Sequence, residues 1–316
     1  MLAVWLRALR QKRLDLTIRA GDGIRVRIVE RPAEWMPEEA VQALVDDIRI
    51  VAARTLPSGP LDYGVFKADG KQLSRAILTV LYDEASGRPV AFNALAVLDV
   101  AMHGRPTAII HLGLVMIDPS VRGQGLSWIL YGLTCLILFV RNQFRPLWLS
   151  NVTQVPAVVG MVSETFSEVF PSPDPSARCS FEHLLLARQI MAKHRGAFGV
   201  GEEAGFDEAH FVITNAYTGG SDSLKKTLAT APKHRHEQFN EFCARRLDYE
   251  RGDDLLQIGR IDLAASRRYL TQSVPRRSLL GLLATLGFLV AQRVALPILY
   301  WFSPDKPWGI LRPWKQ

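Results

Sequence analysis

Along the chain, the spacing of apolar and polar residues changes period several times, and the changes outline the elements. Ile24–Glu30 alternates β-branched residues with arginines, the two-residue period of a half-buried strand. From Pro37 the spacing becomes helical through PEEAVQALVDDIRIVAARTL, with Glu38 and Glu39 in the first turn and Arg54 near the end, as the helix dipole favours. Ala76–Tyr82 and Val90–Val100 read as strands around the turn DEASGRP, and MHGRP at 102–106 leads into a third strand, Thr107–Ile117. A glycine-bearing loop follows, then a helix over roughly Gln124–Asn142, a strand at Pro146–Asn151 and a helix over Pro156–Phe170 that stops at PSPDP. Helices near 181–195 and 232–247 and strands near 209–217 and 255–263 complete the pattern. The order predicts an α/β (α+β) chain with a mixed, mostly antiparallel central sheet flanked by helices. Residues 21–175 form the main unit of that reading. Residues 176–270 form a C-terminal α/β extension covering the core, and 271–316 a terminal apolar helix with a Trp-rich tail.

Two apolar stretches depart from ordinary amphipathic patterning. Gly125–Val140, GLSWILYGLTCLILFV, carries no charge, and a helix apolar on all sides has to be covered by protein or lipid. It is short for a membrane span and begins inside the glycine loop. Cover by the C-terminal region is therefore expected, with an apolar acyl tunnel as the functional reading. Ser278–Gln292 is also uncharged, but Arg276 and Arg277 precede it, and Arg293 and Pro297 interrupt the apolar run that continues to Phe302. An interfacial or re-entrant helix anchored by Tyr300, Trp301, Trp308 and Trp314 fits this pattern, with a true span and a buried helix as alternatives. Residues 1–20 read as a basic amphipathic helix with Leu2, Leu6 and Leu9 on one side, either on a membrane surface or packed on the body. The segment lacks the long apolar region and cleavage box of a signal peptide.

Charge sharpens this picture. The net charge of +7 is concentrated at the ends, +4 in residues 1–20 and +5 in 271–316, leaving −2 for the body. A body without excess positive charge is a poor nucleic-acid binder, whereas basic, tryptophan-bearing ends suit a membrane surface. Cys135, Cys179 and Cys243 are far apart and outside any CxxC or Cys/His spacing, which speaks against a disulfide framework or a zinc site and fits a reducing compartment. The expectation is a cytoplasmic protein, peripheral to or anchored in the inner membrane, with no metal and no nucleic-acid partner.

The chemistry is carried by Arg122-Gly123-Gln124-Gly125-Leu126-Ser127, between a predicted strand and helix and after Asp118-Pro119. Two glycines let backbone N–H groups turn inward as an anion nest, the helix start adds its positive end, and Arg122 adds a forked permanent charge. The combination suits a pyrophosphate; a plain turn with a helix cap is the other reading. There is no GxxxxGK[ST], and the loop follows antiparallel strands instead of opening a βαβ unit. The stretch from Ile117 through Asp118, Pro119, Arg122 and Gly125 to Ser127 resembles the GNAT (Gcn5-related N-acetyltransferase) superfamily of acyl-CoA N-acyltransferases. That family's hallmark is Q/R-x-x-G-x-G/A between its fourth strand and third helix. Arg122, Gly125 and Ser127 fall on the hallmark positions, with serine replacing the final Gly/Ala, and the resemblance covers about residues 24–170.

The resemblance implies direct attack of an amine on an acyl-CoA thioester, with acyl-CoA as co-substrate. It places the pyrophosphate on Arg122, Gly123, Gln124, Gly125, Leu126 and Ser127, and the thioester against a bulged strand near Val115–Ile117, where a backbone N–H holds the carbonyl oxygen. His111 shares the parity of Val115 and Ile117 and is the candidate base, or else a satisfied core histidine. Asn151 is a candidate to hold a water or a pantetheine amide, or else a cap for the next helix. Many relatives place a tyrosine acid in the following helix; AVVGMVSETF has none. The apolar helix and membrane-seeking ends suggest a long-chain or lipid amine acceptor, similar to bacterial ceramide synthases or N-acyl amino acid synthases. The alternatives are an acetyl-CoA enzyme for a small amine and an inactive GNAT-fold binding module.

Overall fold

The computed structural model describes residues 13–19, 23–56, 64–67, 70–126 and 128–276, with further positions between 278 and 302. Residues 1–12, Ser127, Trp308 and Trp314 lie outside the described residues, and with them most of the expected N-terminal helix and the end of the Trp-rich tail.

Among the described residues eleven strands form one sheet: β1 (Asp15–Arg19), β2 (Ile24–Glu30), β3 (Ala76–Asp83), β4 (Pro89–Met102), β5 (Arg105–Leu112), β6 (Val115–Ile117), β7 (Leu147–Thr153), β8 (Ser167–Phe170), β9 (Gly205–Asp207), β10 (Val212–Thr214) and β11 (Asp254–Ile261). The main path is β1-β2-β3-β4-β5-β7-β11-β10-β9, with β6 also on β4 and β8 on β11. All pairs are antiparallel except β5 with β7. The mixed, mostly antiparallel sheet expected from the sequence is therefore present. It does not stop at residue 175, because β11 is hydrogen-bonded between β7 and β10.

Three local expectations are corrected. Asp15–Arg19 is strand β1, not the end of a helix: Leu14 and Leu16 point inward with a two-residue period, and the segment pairs along β2. The helix from Pro156 ends at Thr165, and the next residues turn outward as β8. The long helix expected from Gln124 begins only near Trp128, with a π-turn at Ile129–Leu133 leading into α2 (Thr134–Arg141).

Helices cover both faces. On one, α1 (Glu38–Thr55) sends Leu44, Val45, Ile48 and Val51 against Leu78, Val80 and Phe92. On the other, the π-turn and α2 lie over Val26, Ile28, Ile77 and Leu81. With both faces covered, β3 reads as a continuous apolar run. Farther along the sheet, α3 (Pro156–Thr165) precedes β8, α4 (Phe181–Lys193) packs on Leu98, Ile109 and Ile258, and α5 (Glu237–Arg246) packs on Val159 and Leu255.

The outer side of the uncharged helix is closed by protein. After α6 (Leu263–Arg268) the chain forms a π-turn at Tyr269–Ser273. The Tyr269 hydroxyl donates to the Trp128 carbonyl (2.8 Å), and its ring lies on Gly132, where a Cβ would overlap it. Tyr269 and Val274 join Leu133, Cys135 and Leu136 in one core. The missing charges on this helix thus report burial under the C-terminal segment.

Candidate functional site

The loop after β6 is built on Asp118. Its buried carboxylate accepts from the Ser120 N–H (2.9 Å) and hydroxyl (2.7 Å) and pairs with Arg54 (3.1 Å) and Arg88 (3.5 Å). The Ser120 hydrogen bonds, and then Arg54, hold this carboxyl below the usual range, so the anchor stays charged. Beyond it, Gly123 (φ 80°) and Gly125 (φ 69°) are left-handed with open space where a Cβ would stand, so the backbone conformation and not crowding asks for glycine. Arg122, Gly123, Gln124 and Gly125 are exposed, and the Arg122 Nε donates to the Ile117 carbonyl at 3.4 Å. Among the described residues nothing accepts from the N–H groups of Gly123, Gln124, Gly125 and Leu126. A run of unpaired N–H groups around left-handed glycines is an anion nest. The Leu126 side chain is buried in the core, so only its backbone is available to a ligand.

Before this loop the strand is interrupted. Ala96 faces His111 and Asn93 faces Val115, so β4 has two residues where the opposite strand has three, Leu112, Gly113 and Leu114. This is a β-bulge. A Cβ on Gly113 would run into the Ala94 carbonyl oxygen, which makes glycine necessary there. The Ala94 N–H donates to the Leu114 carbonyl (3.0 Å), the pattern flanking a non-hydrogen-bonded pair, so the Val115 N–H points away from β4. It points into a gap, because β5 and β7 pair only over Ile110–Leu112 and Leu149–Asn151 and then part. The bulge thus precedes Val115, one turn of pleat earlier than a bulge centred on Val115–Ile117.

A cavity of about 300 Å³ opens at this gap. It brings together His111, Asn151 and Val115; Ile117 packs at the edge of the core and the glycine loop lies outside the lining. His111 is 2 % exposed, its Nδ1 is 3.0 Å from the Ser150 hydroxyl, and its ring stacks on Phe198. Burial, and then His194, push this imidazole down to about 3, so it is neutral in the physiological range and a weak proton acceptor. Asn151 is buried beside it and donates to the Gln257 Oε1 (3.4 Å).

Two groups in the cavity wall carry chemistry that sequence reasoning missed. Asn93 donates to the Leu130 carbonyl at the π-turn, and its Oδ1 is buried without a partner among the described residues. Asp254 opens β11, is 5 % exposed and accepts from the Tyr217 hydroxyl (2.9 Å). Burial raises its carboxyl to about 7, the Tyr217 bond opposes the rise and Asp253 adds to it. The signals were a lone amide at an inward position of PVAFNALAVL and a carboxylate starting an otherwise apolar strand.

No family model and no curated protein matches the chain. Among solved structures it is similar to a Trypanosoma brucei acetyltransferase (20 % identity over 36 % of this chain and 73 % of that one, TM-score 0.25). It is also similar to a probable N-acyltransferase of Enterococcus faecalis V583 (16 %, 46 % and 33 %, TM-score 0.32) and a ribosomal-protein-S5-alanine acetyltransferase of Vibrio fischeri (9 %, 77 % and 96 %, TM-score 0.31).

Proposed function

We propose that the protein is a CoA-thioester-dependent N-acyltransferase that forms an amide by direct attack of an amine. The observation that carries this reading is the sequence of parts along one strand and the following turn. A bulge aims the Val115 N–H into the gap between β6 and β7, and an anion nest with Arg122 follows within ten residues. In this reading the nest and Arg122 hold the pyrophosphate, and the pantetheine arm runs past Ile117 into the gap. The Val115 N–H meets the oxygen that becomes negative as the thioester is attacked, where a preorganised donor contributes most. Asn151, and the unpartnered Asn93 Oδ1, are placed to orient pantetheine or acceptor amides. His111, neutral and hydrogen-bonded to Ser150, orients the reactants and does not serve as the base.

The finer reading is an amino-lipid acceptor at a membrane. It is supported by exposed Leu263, Leu283, Ile298, Trp301 (81 %) and Phe302 (79 %), and by an apolar groove between α2 and the C-terminal segment, lined by Phe139, Phe144, Leu270 and Val290. Among the described residues no helix is long and apolar enough to cross a membrane. A second reading, a short acyl donor and a small amine, is favoured by the cavity, whose 300 Å³ is at the lower end for ligand sites.

Thermal shift with CoA, acetyl-CoA and palmitoyl-CoA tests the core reading. Stabilisation by CoA that Arg122→Ala weakens is expected, and no response to any of the three refutes it. A larger response to palmitoyl-CoA together with flotation on anionic liposomes is expected of the lipid reading; equal donors and no flotation leave the small-amine enzyme.

A further inference from the structure

Asp254 is a buried carboxylate in the cavity wall without a cation of its own. Arg251 is taken by Asp253 (2.7 Å), and Asp254 forms no ion pair among the described residues. Its Oδ1 accepts from Tyr217, while its Oδ2 has no hydrogen-bond partner among them. The charged and titratable groups around it are Tyr217, Asp253, Tyr249, Lys226 and, across the cavity, His111. Protein interiors do not leave a carboxylate in this condition without cause, because a buried charge needs a partner or a proton.

From this geometry we propose, resting on the acyl-transfer reading, that Asp254 is the acceptor subsite: it binds the primary ammonium of the amine substrate and takes its proton. The surroundings fit both states of the carboxyl. With the Gln154 amide oriented to satisfy its neighbours, its oxygen lies 2.7 Å from the Tyr217 hydroxyl. In the empty site a protonated Asp254 donates to the Tyr217 oxygen, which donates to Gln154. When an ammonium arrives, Asp254 ionises, and Tyr217 turns its proton toward the carboxylate. A group raised to about 7 is also matched to deprotonating an amine at neutral pH, which the depressed His111 is not.

The step balances. Asp254 removes one proton from R–NH₃⁺, and the freed lone pair attacks the thioester carbon. The C–N bond forms, the C–S bond breaks, and its electron pair leaves on sulfur. The second nitrogen proton passes to the thiolate, and Asp254 returns its own to solvent, giving amide, CoA thiol and one H⁺.

Calorimetry on the full chain, saturated with CoA, tests this with hexylamine and its near-isostere 1-hexanol. Wild type should bind the amine at least tenfold tighter. Binding should release protons, more per amine at pH 6 than at pH 8, read from buffers of different ionisation enthalpy. Asp254→Asn should lose both the preference and the proton release while CoA binding is unchanged; Tyr217→Phe, which keeps the carboxylate, should retain the preference. Equal binding of the two probes, no binding of either, or a preference that survives Asp254→Asn overturns the assignment. If Asp254→Asn fails to fold, the wild-type preference and proton release decide alone. Failure of CoA itself to bind refutes the acyltransferase reading instead, so the two failures are separable.

Discussion

Exchanging Asp254 for asparagine keeps the side chain's shape and an acceptor for the Tyr217 hydroxyl but removes the charge. In the folded protein burial raises this carboxyl from 3.8 to about 7, against the pull of the Tyr217 bond and with help from Asp253. In the unfolded chain it returns to its ordinary value. Between roughly pH 4 and 7 the unfolded chain has therefore lost this proton while the folded protein keeps it, and raising the pH favours unfolding. The stabilising contribution is complete below about pH 4, declines as the pH rises to 7, and is gone above that. The rise from 3.8 to about 7 sets an upper limit of about 4 kcal/mol on this contribution. Urea unfolding of both proteins from pH 4 to 9 gives the difference directly, and groups common to both cancel. The Asp254→Asn protein should gain on wild type by a few kcal/mol across pH 4–7 and then hold a constant advantage. A difference that stays flat with pH would show that the folded protein ionises Asp254 as easily as the unfolded chain does, which refutes the reasoning.

Other consequences are open to measurement. His111, depressed to about 3 by burial and then His194, should show no NMR titration between pH 8 and 5; because the unfolded chain takes up this proton below about 6.5, acid should destabilise the fold through it, and a midpoint near 6 contradicts the placement. Gly113→Ala forces a Cβ onto the Ala94 carbonyl and should cost about 1–3 kcal/mol, seen as a lowered Tm; an unchanged Tm removes the bulge argument. Tyr269→Ala leaves a void over Gly132 and an unsatisfied Trp128 carbonyl, for about 3–5 kcal/mol in chemical denaturation, whereas a loss under 1 would mean that the segment is only loosely docked. Gly125→Ala, at φ 69°, should cost only about 1 kcal/mol of stability yet weaken CoA binding measurably.

What could be read from the sequence was whatever repeats with a local period or a local turn. Strands β2 to β5 came from alternation and turn residues, and the nest came from two glycines with an arginine. The parity shared by His111 and Val115 in the sequence does not survive the bulge: their partners on β4, Ala96 and Asn93, are three residues apart, so the two side chains leave opposite faces of the sheet although both line the cavity. The uncharged helix announced that something covers it, but not what: Tyr269 lies 137 residues beyond Gly132 in the chain, and the fit of its ring onto a glycine has no local signal. β1 was hidden because the helical spacing read from Leu2, Leu6 and Leu9 was carried on to residue 20, whereas pairing with β2 gives Asp15–Arg19 a period of two. Asp254 was hidden for a similar reason. A carboxylate at the start of a strand is usually solvated, and only insertion of β11 between β7 and β10 buries this one.

That insertion has a consequence during synthesis. The outer edge of β7 is completed by residues 254–261, which the ribosome makes roughly 100 residues later, about 5–20 s at ordinary elongation rates. For that interval the nascent chain carries the glycine loop beside an apolar strand with unpaired N–H and C=O groups, a template for pairing with other chains. Production of this protein should accordingly be sensitive to chaperone supply, and any fragment ending before residue 261 should emerge as a sticky, inactive chain even though it contains the whole glycine loop.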